Sequence, residues 1–276
     1  MVVFPNCKIN LGLQILHKRQ DGYHDLQTVF YPLPFTDVLE AIRLNNKTES
    51  GEIEFSISGL DIATGNENNL CVKAYHLIKK EFPGLPSLKM HLHKNIPPGA
   101  GLAGGSADGA FALKLINEVA GLGLTNEKLM DAALTLGSDC PFFIINQPCI
   151  ATSRGEIMQT ISLDLSAYKF VLVNPGLHIS TAYAFSLVTP NIHQKSIPEI
   201  IQQPVALWKN ELTNDFEEPV FNKFPEIKLI KEQLYASGAV YASMTGSGST
   251  VYGLFKKEDP IDLKFPENYF VKILTG

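Results

Sequence analysis

The stretch Asn95-Ile-Pro-Pro-Gly-Ala-Gly-Leu-Ala-Gly-Gly-Ser106 places four glycines in one short loop. An alternating strand pattern ends just before it at Lys94, and a helix pattern with apolar residues on one face follows it. Glycines let backbone N–H groups approach an anion closely, and a helix N-terminus adds partial positive charge. Ordering so many glycines is entropically unfavourable without a ligand, so the segment predicts a phosphate-binding loop rather than a flexible turn.

The loop matches a Walker phosphate loop only in part. Gly99, four intervening residues and Gly104 fit that spacing, but Gly105 and Ser106 stand where a lysine and a serine or threonine belong. The missing lysine argues against an ordinary P-loop NTPase and predicts that any cation comes from elsewhere in the chain. The segment also lacks the GxGxxG pattern and following acidic residue of a dinucleotide site.

Periodic segments on both sides of the loop predict a mixed fold. The predicted strands cover 2–15, 28–44 with an interruption at 32–37, 53–57, 88–92, 170–173, 240–244 and 251–255. The predicted helices cover 69–82, the residues after the loop, 126–136, a segment near 182 and 226–236. Without regular βαβ alternation, this order predicts an α+β arrangement. A boundary between about 149 and 169 gives predicted domains of 1–155 and 156–276.

Composition and charge narrow the classes of protein. A hydrophobic fraction of 45% and a charged fraction of 18% are typical of a soluble globular chain with a substantial core. The net charge of −5 argues against nucleic-acid binding through general electrostatics. No apolar run reaches the roughly 20 residues of a membrane span, and the polar start predicts no secretory leader. Four cysteines without CxxC spacing predict reduced thiols and a cytoplasmic location.

Three motifs carry a resemblance to a known superfamily. The loop Pro97-Pro-Gly-Ala-Gly-Leu-Ala-Gly-Gly-Ser-Ala-Asp108 resembles the central motif of the galactokinase, homoserine kinase, mevalonate kinase and phosphomevalonate kinase (GHMP) superfamily. Lys8-Ile-Asn-Leu11 is similar to its first motif, and Met244-Thr-Gly-Ser-Gly-Ser-Thr-Val251 to its third. The resemblance implies an N-terminal domain like domain 2 of ribosomal protein S5 and a C-terminal ferredoxin-like domain.

Two further segments resemble one branch of that superfamily. They are Asp21-Gly-Tyr-His-Asp-Leu-Gln27 and Gly137-Ser-Asp-Cys-Pro-Phe142. The branch phosphorylates, with ATP, the 2-hydroxyl of an alcohol that carries a cytidine diphosphate group, in non-mevalonate isoprenoid precursor biosynthesis. Cys7, Ser138, Cys140 and Thr250 depart from the usual pattern, but none of them removes a charge or donor that the chemistry needs.

The resemblance implies two catalytic residues and a nucleotide site. Asp139 is expected to act on the acceptor hydroxyl, as general base or as orienting group, with Lys8 beside it. Mg²⁺ is expected to arrive with ATP, and Ser106 is expected near the metal and the β- and γ-phosphates. The expected ATP-binding residues are Asn69, Leu70, Lys94, Pro98, Gly99, Ala100, Gly101, Leu102, Ala103, Gly104, Gly105 and Ser106.

The resemblance also implies how the cytidyl substrate is bound. Tyr23 and Phe185 are expected on the two faces of the cytosine, with His24 hydrogen-bonded to its edge. The other expected substrate-binding residues are Asn10, Thr181, Gly246 and Ser247. A surface turn at Tyr23 and His24, and a core role for Phe185 with Tyr183 in its place, stay open as alternatives.

Two other functions also stay open. The chain fits a GHMP kinase acting on homoserine, mevalonate or a sugar, although such acceptors need no aromatic and imidazole pair for a base. It also fits a non-catalytic nucleotide-binding protein, against which the presence of both Lys8 and Asp139 argues. The partners expected are ATP and the small cytidine-diphosphate substrate, with no nucleic acid and no membrane, and both a monomer and a homodimer are compatible with the sequence.

Overall fold

A computed structural model of the chain describes residues 1–44, 53–61 and 65–275. Its strands are β1 (Val2–Val3), β2 (Asn6–Lys18), β3 (His24–Thr36), β4 (Val38–Arg43), β5 (Ile53–Gly59), β6 (Leu88–Lys94), β7 (Cys149–Ser153), β8 (Ile157–Thr160), β9 (Tyr168–Asn174), β10 (Tyr241–Met244), β11 (Val251–Lys256) and β12 (Phe270–Thr275). Its helices are α1 (Leu70–Glu81), α2 (Gly104–Ala120), α3 (Asn126–Leu136), α4 (Cys140–Ile145), α5 (Thr181–Leu187), α6 (Ile197–Ile201), α7 (Val205–Glu211), α8 (Glu217–Lys223) and α9 (Pro225–Ala236). A short 3₁₀ helix covers Asn66–Asn68.

The chain forms two compact units, and neither is a continuous stretch of sequence. Unit 1 comprises Met1–Cys7, Phe35–Pro98 and Ala103–Asn146. Unit 2 comprises Lys8–Pro34, Gly99–Leu102 and Gln147–Gly276. The predicted domains of 1–155 and 156–276 are sequential and do not coincide with these units, because β3 pairs in register with β7 across more than a hundred residues of sequence.

Unit 1 combines a four-stranded sheet with helices α1 to α4. The strand order is β1-β4-β6-β5, in which β5 runs parallel to β6 and the other pairs are antiparallel. Helix α1 begins where the Asn69 side chain accepts a hydrogen bond from the Cys71 N–H, and α3 begins at the Thr125 cap. Fully buried apolar side chains from the sheet and helices form the core, among them Leu39, Met90, Leu92, Leu113, Ile116 and Phe142.

Unit 2 contains two four-stranded sheets with the orders β2-β3-β7-β8 and β10-β11-β9-β12. The pairs β3–β7, β7–β8 and every pair of the second sheet are antiparallel. A hydrophobic cluster joins strand residues such as Val171 and Val251 to helix residues such as Ile227 and Leu234. The C-terminal part is thus a helix-covered antiparallel sheet, as the prediction of a ferredoxin-like domain requires.

The observed elements correct some of the predicted ones. The predicted strand over 2–15 is two strands, because Phe4-Pro5 separates β1 from β2. The predicted interruption at 32–37 is absent from β3, which runs on to Thr36 through Pro32 and Pro34. Both prolines lie beyond the ladder with β7, which ends at Phe30, so their missing N–H groups remove no bond from it.

Candidate active site

In unit 1, the phosphate loop leads into a helix whose first residue has no side-chain cap. Helix α2 begins at Gly104, and the preceding Ala103 has a left-handed backbone with φ of 56° and makes no side-chain cap hydrogen bond. By contrast, capping side chains satisfy N–H groups at the starts of α1 and α3. The start of α2 therefore has the form of an anion site built from backbone N–H groups.

A cluster of three buried titratable side chains lies beside the two ends of this loop. Lys94 Nζ donates to Asp108 Oδ2 at 2.7 Å and to Asp37 Oδ2, and all three side chains are at most 3% exposed. Burial, together with the nearby Asp37 carboxylate, raises the pKa of Asp108 to about 8 despite the Lys94 ammonium. Burial alone lowers the pKa of Lys94, but the two carboxylates bring it above its ordinary value. The ammonium of Lys94 is thus held by carboxylates.

The other predicted residues of unit 1 lie at helix starts. Asn69 caps α1, and a Cβ on Gly109 of α2 would lie 2.8 Å from Leu70 Cβ, so α1 and α2 begin in close contact. Pro98 and Gly105 are exposed, and Ser106 is half-buried. Ser106 hydrogen-bonds the Cys140 thiol, whose pKa burial raises to about 12.

Asp139 occupies the N-cap position of α4, half-buried, and makes no side-chain cap hydrogen bond there. Because Cys140 contacts Ser106, the structure brings the starts of α2 and α4 together and with them Ser106 and the residue next to Asp139. A hydroxyl and a carboxylate from two loop-to-helix junctions thus lie in one region of unit 1.

In unit 2, the Lys8 ammonium donates into a network of amide and hydroxyl groups. Lys8 is 3% exposed; its Nζ donates to Asn10 Oδ1 at 2.7 Å and lies 4.4 Å from the centre of the Phe30 ring. Asn10 Nδ2 donates to Thr28 Oγ1 at 3.0 Å, and Thr28 Oγ1 donates to the Gly12 carbonyl at 2.6 Å. This chain of donors orients the Asn10 amide so that its oxygen points to the lysine.

The middle of the phosphate loop, Gly99–Leu102, belongs to unit 2 and packs on the third motif. Thr245 Oγ1 accepts from the Asn10 N–H at 3.0 Å and lies 3.3 Å from the Gly101 carbonyl. Thr250 N–H donates to the Ala100 carbonyl, and Leu102 accepts from the Lys8 N–H at 3.1 Å. A Cβ on Gly101, whose φ is +79°, would lie 2.5 Å from the Thr245 carbonyl oxygen. Glycine is therefore required at position 101 by both conformation and space.

Neutral side chains also shape the third motif. Asn214 Nδ2 donates to the carbonyls of Met244 at 2.8 Å and Gly246 at 2.9 Å. The hydroxyls of Ser247 and Thr181 lie 3.5 Å apart, and Thr181 is the exposed first residue of α5. The structure thus brings Gly246, Ser247 and Thr181 together.

The aromatic residues predicted for the cytidine differ in their surroundings. His24 stacks on Phe185 with ring centres 5.0 Å apart, and burial lowers the pKa of His24. Phe185 also meets Phe216 edge to face at 4.9 Å, so it takes part in the core as well. Tyr23 is 56% exposed, and the Arg154 guanidinium lies 4.8 Å from its ring centre. His24 and Phe185 lie together, whereas Tyr23 faces a cation.

The sequence analysis missed several residues that support these groups. Asp37 and Asp108 were detectable in principle. A lysine at the end of an apolar strand needs a buried acidic partner, and an aspartate in an apolar helix needs a basic one. Thr28 and Thr245 gave no signal, since threonine is common in strands and turns. Arg154 also gave none, being one residue in a short turn.

The described ranges contain no candidate metal centre and no membrane-spanning helix. No group of three or more histidine, cysteine or acidic side chains there has the geometry to hold a metal ion. No helix in the same ranges is long and apolar enough to cross a membrane. All four cysteines are buried, and none of them forms a disulfide.

Comparison with known sequences gives the class of protein. A family described as "GHMP kinases N terminal domain" matches residues 69–147, and one described as "GHMP kinases C terminal" matches residues 196–264. The chain therefore belongs to the GHMP kinases, which confirms the predicted family and fold class.

Individual relatives narrow this class. The 4-diphosphocytidyl-2-C-methyl-D-erythritol kinase of Bacteroides fragilis is 51% identical over 261 residues, covering 95% of this chain and 94% of the relative. The protein of that name from Cytophaga hutchinsonii is 47% identical, with 92% of each chain covered. A crystal structure of 4-(cytidine 5'-diphospho)-2C-methyl-D-erythritol kinase superposes with a TM-score of 0.81 at 27% identity over 100% of both chains. Within the GHMP kinases, the chain is a member of the 4-diphosphocytidyl-2-C-methyl-D-erythritol kinase family.

Proposed function

We propose that the protein transfers the γ-phosphate of ATP to the 2-hydroxyl of 4-diphosphocytidyl-2-C-methyl-D-erythritol, in the non-mevalonate route to isoprenoid precursors. The observation that carries this proposal is the 51% identity, over 95% of the chain, to a kinase named for that substrate. The geometry is compatible with it, because a glycine-rich loop, a buried ammonium and a carboxylate are the groups that phosphoryl transfer uses.

The proposed roles of the reacting groups follow from their chemistry. Asp139 orients the acceptor hydroxyl and takes its proton late, since a loose transition state needs little activation of the nucleophile. Lys8 supplies positive charge to the transferring phosphoryl group, and Asn10 holds that ammonium in place. Residues 98–106 wrap the ATP phosphates with backbone N–H groups, with Asn69 and Leu70 at the nucleotide end.

Mg²⁺ enters the proposal as a companion of ATP rather than as a resident ion. The Ser106 hydroxyl is a suitable oxygen ligand, and the described residues offer no carboxylate cluster that competes for the metal. Magnesium keeps several waters and binds phosphate oxygens readily, so one protein ligand is enough. When bound, the ion neutralises charge on the phosphates.

For the cytidyl end, we propose that Tyr23, His24 and Phe185 recognise the base, with Thr181, Gly246 and Ser247 nearer the alcohol. Aromatic stacking supplies affinity, and a buried polar group that needs a partner supplies selectivity for the base. Because His24 stacks on Phe185 in this structure, the base must displace the imidazole to reach that ring. Binding of the substrate is therefore expected to change the environment of His24.

The test is a coupled assay of ADP release with purified protein, Mg-ATP and the cytidyl substrate, beside an Asp139→Asn variant. We expect turnover with the cytidyl substrate and a loss of about 10²- to 10⁴-fold in kcat in the variant. Homoserine and mevalonate serve as parallel acceptors. Turnover with one of these alone assigns the chain to another GHMP activity, and ATP binding without any turnover favours a non-catalytic role.

A further inference from the structure

The two ends of the phosphate loop in unit 1 are joined by side chains, not only by the loop itself. Lys94 is the last residue of β6, immediately before the loop, and Asp108 lies in the first turns of α2, immediately after it. Their side chains meet at 2.7 Å, with 2% and 3% exposed. Asp37, from the connection between β3 and β4, contacts the same ammonium and is fully buried.

We propose that Lys94, Asp37 and Asp108 are positioning residues that hold the phosphate loop in its ATP-binding form. The proposal rests on the proposed function, because it takes ATP as the phosphate donor. A loop closed at both ends by one ion cluster loses less conformational freedom when it wraps a phosphate, so more of the binding free energy remains.

Asp37 acts on the backbone of the loop directly. Its second oxygen, Oδ1, accepts hydrogen bonds from the N–H groups of Asn95 at 2.6 Å and Ile96 at 2.9 Å. The Asn95 side chain donates in turn to the Thr36 carbonyl at 3.0 Å. The first two residues after β6 are thus fixed by one carboxylate, which also contacts the Lys94 ammonium.

The close approach of the two loop ends requires a glycine. A Cβ on Gly104 would lie 2.8 Å from Ile96 Cγ2 and 3.4 Å from Lys94 Nζ. The start of α2 therefore rests on Ile96 and on the charge cluster, with no room for a side chain. Gly104 is needed here for space rather than for an unusual backbone conformation.

The cluster is poorly suited to a purely stabilising role. Two carboxylates face one ammonium, and Asp108 Oδ1 has no hydrogen-bond partner among the described residues. Buried ion pairs are often no more stabilising than apolar side chains of the same size, and an unpartnered buried oxygen is unfavourable. An arrangement that gains so little stability is better explained by the geometry that it imposes on the loop.

The experiment compares Asp37→Asn, Asp108→Asn and Lys94→Arg with wild type and with Lys79→Met. Lys79 is a matched control, because it is a lysine of unit 1 whose Nζ hydrogen-bonds the Leu85 carbonyl. That carbonyl precedes the start of β6, whereas the phosphate loop follows its end. For each protein, KM and kcat are measured for ATP and for the cytidyl substrate, and Kd for Mg-ATP is measured by calorimetry without acceptor. Circular dichroism and Tm report whether each variant is folded.

We expect Asp37→Asn to raise both the KM and the Kd for ATP by about tenfold or more, since small misplacements of positioning groups have large effects. The KM for the cytidyl substrate should stay within twofold. Asp108→Asn should raise the KM and Kd for ATP less, because Asp37 remains as a partner for the Lys94 ammonium. Lys94→Arg keeps the positive charge and should keep part of the affinity for ATP. Lys79→Met should lower Tm without changing either KM.

Two results overturn the proposal. One is a folded Asp37→Asn protein with wild-type KM and Kd for ATP. The other is an equal rise of both KM values in proportion to lost Tm, as in a general loss of structure. Because calorimetry needs no acceptor, the ATP measurement stands even when the cytidyl alcohol is not turned over, which separates this proposal from the proposed function.

Discussion

Around the phosphate loop, unit 1 joins three buried titratable side chains, whereas unit 2 links the Lys8 ammonium to a chain of amide and hydroxyl groups. In unit 1, Lys94 meets two carboxylates, and every member of the cluster belongs to a different element. In unit 2, Lys8 donates to the Asn10 side-chain amide, which also hydrogen-bonds the hydroxyls of Thr28 and Thr245. The Asn10 amide carries no net charge, so its hydrogen bond orients the Lys8 ammonium without neutralising it. The difference separates a charge used for structure from a charge proposed for chemistry.

The largest expected effect on the reaction comes from removing the Lys8 ammonium. Lys8→Met should lower kcat by about 10²- to 10³-fold with little change in the KM for ATP, as for the loss of one preorganised electrostatic group. Lys209→Met is the matched control in unit 2, because that lysine also lies over an aromatic ring, at 4.5 Å from the Tyr235 centre. A Lys8→Met enzyme with near wild-type kcat would show that this ammonium has no role in the reaction.

Kinetics and stability are expected to rank the two sites differently. The larger loss of stability should come from the Lys94 cluster rather than from the network around Lys8. Lys94→Met leaves two buried carboxyl groups without their cation and should lower the free energy of unfolding by about 3–5 kcal/mol. Thr28→Val removes only neutral hydrogen bonds and should lower it by about 1–3 kcal/mol. Urea unfolding of the two variants measures the difference. Equal losses of unfolding free energy would mean that removing the cation from the Lys94 cluster costs no more than removing neutral hydrogen bonds from the network around Lys8.

The loop itself gives a test confined to unit 2. Gly101→Ala places a Cβ 2.5 Å from the Thr245 carbonyl oxygen on a left-handed backbone, so the loop must shift and the KM for ATP should rise several-fold. The strain alone is expected to lower stability by about 1–2 kcal/mol. Gly84→Ala is the control, because nothing lies within 4 Å of its added Cβ. Steady-state kinetics and thermal unfolding of both variants check the prediction.

The smallest difference between the units is expected for the reactivity of their cysteine thiols, because burial acts in the same way on thiols of both units. Burial raises the pKa of Cys140 in unit 1 and of Cys149 in unit 2 to about 12. At pH 8 only about 10⁻⁴ of such a thiol is ionised, and the thiolate is the reactive form. Ellman's reagent should therefore detect almost no thiol in the native protein and all four in guanidinium chloride. Rapid labelling of the native protein would contradict the burial of these side chains.

Local features of the fold were predictable, because periodicity and capping are properties of short segments. Helices over 69–82 and 126–136 were expected and are found at Leu70–Glu81 and Asn126–Leu136. Short elements such as α4, β7 and β8 were missed, since four to six residues carry little periodic signal. An interruption of β3 was predicted wrongly from its two prolines, because the sequence does not show which N–H groups of a strand form ladder hydrogen bonds.

The sequence by itself determined which residue types the protein offers for chemistry and in which order. The glycine loop before a helix and Lys8 in an apolar strand are both readable from a few neighbouring residues. Only the tertiary structure decided their partners. Asp37 and Lys94 are 57 positions apart, and Asn10 and Thr245 are 235 apart. Such pairs depend on which strands and helices become neighbours, and local periodicity reports which face of an element is buried but not what it is buried against.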